Sequence, residues 1–424
     1  MADDVLRVGF AGIGMGAGRV IPEIARLPFI KLTAGADIRR HAIDVFQEEF
    51  GAEVYESVDE MCQSPNVDAV YVATPHELHA EHSIVALKNR KHVIVEKPMA
   101  LSMTECEAMN RAAEENGVKL MCGHTHSFDP PVQKMAKLVH SGQLGAPLMI
   151  NSSYYKNFIY RPFSDHDVAM SRGIVLNQGP HQVDIVRLIG GGMVRTVRAT
   201  AGAADLSRGE PPDRPAEGHY VCYLEFENGV AASLVFNGYA YLDTAELVWG
   251  IGEGGQPVDP QAFVDAHRFF DELGTGPDRR NRMEALLESW RYGGTNVGEW
   301  FGTSSSGQGP GQRPDLSGRP DPSGRHQPFF GLTIVTCEKG DLRQSADGIY
   351  VYTADGRQEI PIPPGAHGRE AEMREIYEAV VNGKPMFHDG RWGEATLEVC
   401  LAMLQSSTTR QEVRLSHQVS GALT

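Results

Sequence analysis

The first candidate for a catalytic residue is a lysine at the end of a strongly apolar stretch. Residues 91–95 are β-branched and apolar at their centre, and Glu96, Lys97 and Pro98 follow at once. Such a run is typical of a central strand in a parallel sheet, and a proline, which has no N–H to donate, ends it. Open α/β sheets bind ligands at the carboxyl ends of their strands. The pattern therefore predicts that Glu96 and Lys97 lie at such an edge, where Lys97 can hydrogen-bond a reacting oxygen.

A second candidate, His181, follows later in the chain. It stands near the start of a predicted helix, because Pro180 suits the first helical turn. Gln178, His181 and Asp184 would then share one helix face. An imidazole titrates near neutral pH, so His181 can accept a hydroxyl proton, and Asp184 is a candidate partner for its ring. Asn177 can position a substrate hydroxyl but cannot stabilise an imidazolium by charge.

The elements that position these residues begin with a glycine-rich turn. A short apolar strand runs into GIGMGA at 12–17, which fits the pattern G-x-G-x-x-G/A. The first glycine allows the tight turn, the second lets the backbone approach a pyrophosphate, and the small third residue brings the following helix close to the strand. We therefore expect Gly12, Gly14, Met15 and Ala17 to cradle a dinucleotide, with the N-terminus of the helix directed at its phosphates.

The end of the second predicted strand indicates which dinucleotide binds. Asp37 lies 25 residues after Gly12, close to the spacing of an acid that binds the adenosine ribose 2′-hydroxyl. A carboxylate at that place repels a 2′-phosphate, so NAD is the expected cofactor. Arg39 and Arg40 follow at once and could stack on adenine or neutralise a phosphate, which leaves NADP as a second option.

Composition narrows the class of protein. The chain has 424 residues, 41% hydrophobic and 22% charged, as expected of an ordinary globular protein with two domains. Its formal net charge of −16 disfavours nucleic acid and anionic membranes as partners. No apolar run approaches the roughly 20 residues that span a bilayer, and the acidic start shows no secretory signal. Six widely spaced cysteines indicate reduced thiols, so a cytoplasmic location is expected.

The order of the predicted elements indicates an α/β fold. Strands and helices alternate through the first third of the chain, which predicts a doubly wound parallel sheet, a Rossmann domain, over residues 1–127. One of its strands ends at Thr74-Pro75, again at the carboxyl edge. Residues 128–424 are expected to form an α+β domain with an open, largely antiparallel sheet, because a hairpin turn at Glu227-Asn228-Gly229 joins two of its strands. Residues 303–325, rich in Gly, Ser and Pro, are predicted to form a mobile loop.

Taken in order, these motifs resemble the Gfo/Idh/MocA family of oxidoreductases. The resemblance rests on the glycine turn, Ala73-Thr74-Pro75 with His79, Glu96-Lys97-Pro98, and the later signature GPHQVD at 179–184. It implies a Rossmann domain followed by an α/β domain with an open sheet. It also implies hydride transfer between a nicotinamide and a sugar or cyclic polyol. The cofactor candidates beyond the glycine turn, Asp37 and Arg39 are Thr74, Pro75, His79, Glu96 and Lys97.

Four segments resemble the branch of this family that contains phthalate cis-dihydrodiol dehydrogenases: GHTHSF at 123–128, FIYRP at 158–162, QPFFGL at 327–332 and HDGRWG at 388–393. In that branch Arg161 would bind a substrate carboxylate, for which its planar fork is suited. Tyr160 could stack on a ring. His124 and His126 are candidate substrate residues, and their spacing does not predict a metal site because no cluster of acids or cysteines completes a ligand set. The substrate candidates are His124, His126, Tyr160, Arg161, Asn177 and Asp184.

The predicted reaction is oxidation of a secondary ring alcohol by NAD⁺. The substrate would be a sugar, a cyclic polyol or a carboxylated cis-dihydrodiol. Lys97 would hydrogen-bond the carbinol oxygen while His181 accepts its proton; Lys97 as the base is the alternative assignment. A glycoside lyase or hydrolase that oxidises a sugar transiently and a non-catalytic NAD-sensing protein are the rival functions. A wide apolar sheet face predicts a homo-oligomer, a dimer or a tetramer.

Overall fold

The computed structural model describes residues 5–160, 173–203, 217–273, 277–294, 326–363 and 368–421. The predicted loop at 303–325 and the candidate Arg161 lie outside these residues.

The first domain confirms the predicted doubly wound sheet. Its elements are β1 (Leu6–Ala11), α1 (Met15–Ile24), β2 (Ile30–Ala36), α2 (Arg40–Phe50), β3 (Glu53–Tyr55), α3 (Val58–Cys62), β4 (Ala69–Val72), α4 (His79–Lys88), β5 (His92–Glu96), α5 (Met103–Asn116) and β6 (Leu120–Gly123). Six described strands pair in parallel in the order β3-β2-β1-β4-β5-β6. The strand order reverses between β1 and β4, which opens a crevice at their carboxyl ends.

The central strands are apolar along their whole length because helices cover both faces of the sheet. In β5, Ile94 packs into one core layer, while Val93 and Val95 pack into the other. The rings of Phe10 and Tyr71 stack in the first of these layers with centroids 4.9 Å apart. This two-sided packing fixes the carboxyl ends of β1, β4 and β5 side by side, where the predicted site residues follow.

The second domain confirms the open, largely antiparallel sheet. Its elements are α6 (Pro130–His140), β7 (Pro147–Tyr155), α7 (Ile174–Asn177), α8 (Gly179–Gly190), β8 (Val194–Gly202), β9 (His219–Phe226), β10 (Ala231–Asn237), α9 (Pro260–Glu272), α10 (Pro277–Trp290), β11 (Leu332–Cys337), β12 (Gly340–Gln344), β13 (Gly348–Thr353), β14 (Gly356–Pro361), α11 (Gly368–Val381), α12 (Gly390–Thr409) and β15 (Val413–Arg414). Nine described strands follow the order β14-β13-β12-β11-β7-β10-β9-β8-β15. Of their pairings, β7 with β10 is parallel and the others are antiparallel.

Helices cover one face of this second sheet, and on the other face large apolar side chains are exposed in the described part of the chain. α8 lies against β7 and β10, and α12 lies against β8. On the outward face the side chains of Met149, Val221 and Tyr223 are exposed. An uncovered apolar face is typical of a surface that meets another chain. The homo-oligomer stays a prediction, which the molar mass in solution will decide.

Two segments of the second domain pack into the core of the first domain. Met373 and Ile376 of α11, and Tyr292 just after α10, are buried in the core layer that also holds Phe10 and Tyr71. The first domain is therefore completed by residues that lie some 170 to 260 positions beyond its last strand in the sequence. Each helix in the described part of the chain is too short or too polar to cross a lipid bilayer.

Candidate active site

The glycine turn between β1 and α1 has the geometry that a dinucleotide requires. Gly12 has a φ of +84°, and a Cβ placed there would lie 2.8 Å from the Cα of Thr74, so only glycine fits. Beside Gly14 and Gly16 a Cβ would meet no atom of the described chain within 4 Å. α1 begins at Met15, with Ala17 buried in its first turn. The turn therefore offers backbone N–H groups and open space to a pyrophosphate.

Asp37 stands at the carboxyl end of β2, next to this turn. Its Oδ2 accepts a hydrogen bond from the Ile13 N–H at 2.7 Å, and its Oδ1 accepts one from the Arg39 N–H at 2.8 Å. The carboxylate is thus held in one orientation at the position predicted for the adenosine ribose. The residues present fit a bound NAD.

The residues that follow β4 lie beside the glycine turn. Thr74 lies against Gly12, and Pro75 follows it. His79 is buried, with Nδ1 2.8 Å from the carbonyl oxygen of Pro98 and Nε2 2.9 Å from that of Thr74. Both ring nitrogens are therefore occupied by backbone groups. His79 thus ties the end of β4 to the end of β5, and its contact with the cofactor stays a prediction.

Lys97 follows β5 directly, and its peptide bond to Pro98 is cis. Its Nζ donates a hydrogen bond to the backbone carbonyl oxygen of Asn177, at a distance of 2.8 Å. This bond joins the first domain to the segment that precedes α8. The side-chain oxygen of Asn177 accepts instead from Gln178 Nε2, at 2.8 Å. Asn177 therefore contacts Lys97 through its backbone.

His181 lies in the first turn of α8 and is almost completely buried. Burial holds the pKa of His181 well below its usual range, and the charge of Lys97 lowers it further. The two residues predicted to be catalytic are thus close enough to interact, and His181 is a neutral imidazole at neutral pH. Its Nδ1 is buried and has no hydrogen-bond partner among the described residues. A neutral ring of this kind can accept a proton.

Asp184 is not the partner of His181 that the helix spacing predicted. Its Oδ1 accepts hydrogen bonds from the Trp392 indole N–H and, at 3.3 Å, from the Thr396 hydroxyl. α8 is buried on all sides, and two residues of α12 meet the Asp184 carboxylate there. The prediction is corrected because Asp184 ties α8 to α12 in the core.

Glu96, the residue before Lys97, is held by Tyr71 and Arg369. It accepts a hydrogen bond from the Tyr71 hydroxyl at 2.7 Å and lies 3.2 Å from Nη1 of Arg369. Burial alone would raise the pKa of Glu96, but the charges of Arg369 and Lys97 and the Tyr71 hydroxyl outweigh burial and hold it below the usual value. Glu96 is therefore a half-buried anion next to Lys97.

Arg369, in the first turn of α11, was not predicted as a site residue. It lies 2.9 Å from the carboxylate of Glu372, which also accepts from the Thr125 hydroxyl at 3.1 Å. Burial raises the pKa of Glu372, and the negative charge of Glu96 adds to this, against the opposing charge of Arg369. Arg369 is thus the cation that two carboxylates share beneath Lys97. Its signal in the sequence is weak, because an arginine in a first helical turn is usually solvated.

Of the predicted substrate residues, His126 lies at the site. Its ring centroid is 4.9 Å from that of His181 and 4.4 Å from that of Phe330, and Asp129 Oδ2 lies 2.9 Å from its Nδ1. Phe330 also lies 5.1 Å from His181, so the three rings form one wall. Tyr154 extends this wall, with its centroid 4.8 Å from Phe330.

His124 and Tyr160 are both buried among protein groups, and the role of Tyr160 in binding substrate stays a prediction. His124 is 1% exposed, with Nε2 3.7 Å from the Cys122 sulfur and Nδ1 3.8 Å from Asp184. It is therefore enclosed by protein, close enough to His181 for its charge to affect the pKa of that ring, and its contact with the substrate stays a prediction. Tyr160 is buried against His267, with ring centroids 3.8 Å apart, and burial raises the pKa of its hydroxyl.

Comparison with known proteins agrees with this geometry. A model of the oxidoreductase family with an NAD-binding Rossmann fold matches residues 6–124, and a model of the GFO/IDH/MocA C-terminal domain matches residues 132–255. The chain is 30% identical over 409 residues to a 1-carboxy-3-chloro-3,4-dihydroxycyclo hexa-1,5-diene dehydrogenase of Comamonas testosteroni, covering 94% of each chain. It is 27% identical over 240 residues to a scyllo-inositol 2-dehydrogenase (NAD(+)) of Bacillus subtilis, covering 54% of this chain and 66% of that one.

Solved structures show the same fold. A protein of Bordetella bronchiseptica superposes with a TM-score of 0.83 at 32% identity, covering 97% of this chain and 100% of that one. The WlbA dehydrogenase of Bordetella pertussis, solved with NADH and UDP-GlcNAcA, superposes with a TM-score of 0.66 at 18% identity, covering 98% and 99% of the two chains.

The fold and the site therefore define an NAD-dependent dehydrogenase with a Rossmann domain. The chain belongs to the Gfo/Idh/MocA oxidoreductase family.

Proposed function

We propose that this dehydrogenase oxidises a secondary alcohol on a carboxylated ring, with a cis-dihydrodiol as the preferred substrate class. The observation that carries the reaction type is the hydrogen bond from Lys97 Nζ to the Asn177 carbonyl, beside a neutral, buried His181. The substrate class is supported by the Comamonas testosteroni relative, whose name denotes a carboxylated diol of a cyclohexadiene and which is similar along almost the whole chain.

The residues of the site have distinct roles in the proposed reaction. Gly12, Gly14 and Asp37 would hold NAD⁺, which accepts the hydride when it is bound. The ammonium group of Lys97 donates a hydrogen bond to the carbinol oxygen and stabilises charge that develops there. His181 accepts the hydroxyl proton on its neutral ring.

Three further residues orient and enclose the substrate. The carboxylate of Glu96 places a negative charge next to the ammonium group of Lys97. The rings of His126 and Phe330 lie beside His181 and exclude water from the reacting carbon. Arg161 stays a prediction as the carboxylate ligand.

A screen at 340 nm tests the substrate class. NAD⁺ would be paired with a carboxylated cis-dihydrodiol, the same diol without its carboxylate, myo-inositol and glucose. We expect kcat/KM to be highest for the carboxylated diol, by about 10- to 100-fold over the matched diol, because a lost hydrogen bond to a charged group costs about 1.5–3 kcal/mol. Equal values for the matched pair would contradict the proposed substrate class.

The same screen distinguishes a dehydrogenase, which releases NADH, from the rival functions, which release none. A lyase or hydrolase that oxidises a sugar transiently would turn over without net NADH in solution. A sensing protein would bind ligands without turnover. Either result would remove the dehydrogenase assignment for those substrates.

The cytoplasmic location also stays a prediction, supported by six cysteines that are buried free thiols.

The pH profile tests the neutral His181. Because its pKa lies well below the ordinary value, the ring remains a base as pH falls through neutrality. We expect kcat/KM at saturating NAD⁺ to stay level from pH 8 down through about 6.5, the pKa of an unperturbed histidine. Its acid limb should lie lower. A half-maximal point near 6.5 that disappears in His181→Asn would show instead that the ring titrates normally.

A further inference from the structure

A segment of the second domain rests on the nucleotide-binding turns of the first. The Tyr292 N–H donates to the carbonyl oxygen of Gly14 at 3.3 Å, and the Tyr292 hydroxyl donates to the carboxylate of Glu49. His41 Nε2 lies 3.0 Å from the Gly293 carbonyl oxygen. These contacts attach the end of α10 to the glycine turn and to α2. They bring the last turn of α10 next to the residues that follow Asp37.

Glu288, in that last turn, pairs with Arg39. Its Oε1 lies 3.3 Å from Nη1 of Arg39. The Arg39 guanidinium also lies 3.3 Å from Oδ1 of Asp37, and its Nη2 donates to the carbonyl oxygen of Ile13. Arg39 therefore has two carboxylates and one carbonyl oxygen as partners. Its positive charge is balanced, although one of the two acids comes from another domain.

The second arginine of this turn is balanced as well. Arg40 Nε lies 3.0 Å from Asp44 Oδ1, and its Nη1 lies 3.6 Å from Glu56 Oε1. Both side chains are exposed acids of the first domain. The turn that would meet a 2′-phosphate therefore presents two arginines whose charges are already matched by carboxylates.

We propose that Glu288 is a specificity residue that selects NAD over NADP. A 2′-phosphate at the ribose beside Asp37 would need a free arginine fork, the group that binds phosphates in a bidentate manner. Glu288 occupies Arg39 and adds a negative charge that repels the phosphate. The cofactor preference is thus set jointly by Asp37 of the Rossmann domain and by an acid inserted from α10. This inference rests on the NAD-binding fold and is independent of the proposed substrate.

Calorimetric titration of the Glu288→Gln variant with NADH and NADPH, in the absence of substrate, tests this. The measured quantity is the ratio of the Kd for NADPH to the Kd for NADH. At low ionic strength we expect that ratio to fall about tenfold, the order of effect of removing one unit charge near a doubly charged phosphate. The effect should shrink in 0.5 M salt because the side chains are close to solvent.

Glu284→Gln is the matched control. Glu284 lies one turn earlier on the same helix and is 3.4 Å from Arg291, which Glu288 also contacts. The nucleotide ratio of this variant should equal that of the wild type. A shift in Glu284→Gln as large as in Glu288→Gln would attribute the effect to the general charge of α10 and would overturn the proposal.

Two further variants complete the test. Glu288→Ala repeats the change without an amide, so that a folding defect in one variant does not remove the measurement. In the double variant Arg39→Met/Glu288→Gln we expect most of the gain in NADPH affinity to be lost, since the freed guanidinium would bind the phosphate. An unchanged ratio in both single Glu288 variants, or a full gain in the double variant, would overturn the proposal.

Discussion

Replacing Lys97 with methionine should slow hydride transfer by about a thousandfold, within the range for removal of a preorganised donor to a developing oxyanion. The ammonium group leaves the strand end at which the substrate oxygen is expected, and its hydrogen bond to the Asn177 carbonyl is lost. Methionine is also unbranched and is one heavy atom shorter than lysine, so the shape of the cleft should change little. NADH binding should change far less than the rate.

Single-turnover stopped-flow absorbance at 340 nm measures this step apart from product release. Lys91→Met is the matched control, because Lys91 lies at the other end of the same strand and donates to the carbonyl oxygens of Ser64 and Val67 at 2.8 Å. Its rate should match the wild type. A wild-type rate in Lys97→Met would end the proposed mechanism, and a wild-type rate in His181→Ala would end the assignment of the base.

Local sequence patterns predicted the parts of the site that short segments determine. Lys97 could be placed at a sheet edge because an apolar run ended by a proline has few other solutions in an α/β fold. Gly12 and Asp37 were recognisable because the nucleotide turn demands a particular backbone and spacing. α1 begins at Met15, inside the glycine-rich segment, which local propensity does not predict. The glycines at 14–18 have low helix propensity, which packing of the buried Ala17 and Gly18 overcomes.

The parts that could not be predicted depend on which elements meet in space. Arg369 follows Glu96 by more than 270 residues, and no local pattern indicates that α11 packs beneath β5. Glu288 reaches Arg39 across a similar separation. For Asp184 the local pattern was misleading. Helix spacing placed it near His181, but the sequence does not show that α12 packs against α8 and binds this carboxylate. Burial of charged residues is a property of the assembled core, and single-sequence patterns do not carry it.

Arg369→Met should lower the free energy of unfolding by about 3–5 kcal/mol, the cost of removing one partner from a buried ion pair. Glu96 and Glu372 would then share the space beneath Lys97 without their common cation. Arg374→Met, one turn later on α11, is the control: Arg374 is exposed and pairs with Glu370 at 2.7 Å, so its loss should cost less than about 1 kcal/mol. Urea denaturation measures both variants.

The pH dependence of the stability lost in Arg369→Met shows whether charge or packing is the cause. Burial already holds the pKa of Glu372 above its ordinary value in the wild type, against the opposing charge of Arg369, so in Arg369→Met this pKa should rise further. A carboxyl with a raised pKa destabilises the fold at high pH and ceases to do so as it takes up a proton. The deficit relative to wild type should therefore shrink as the pH falls from 8 to about 5. A deficit that is independent of pH would mean that packing of the Arg369 side chain, and not its charge, holds α11 against the first domain.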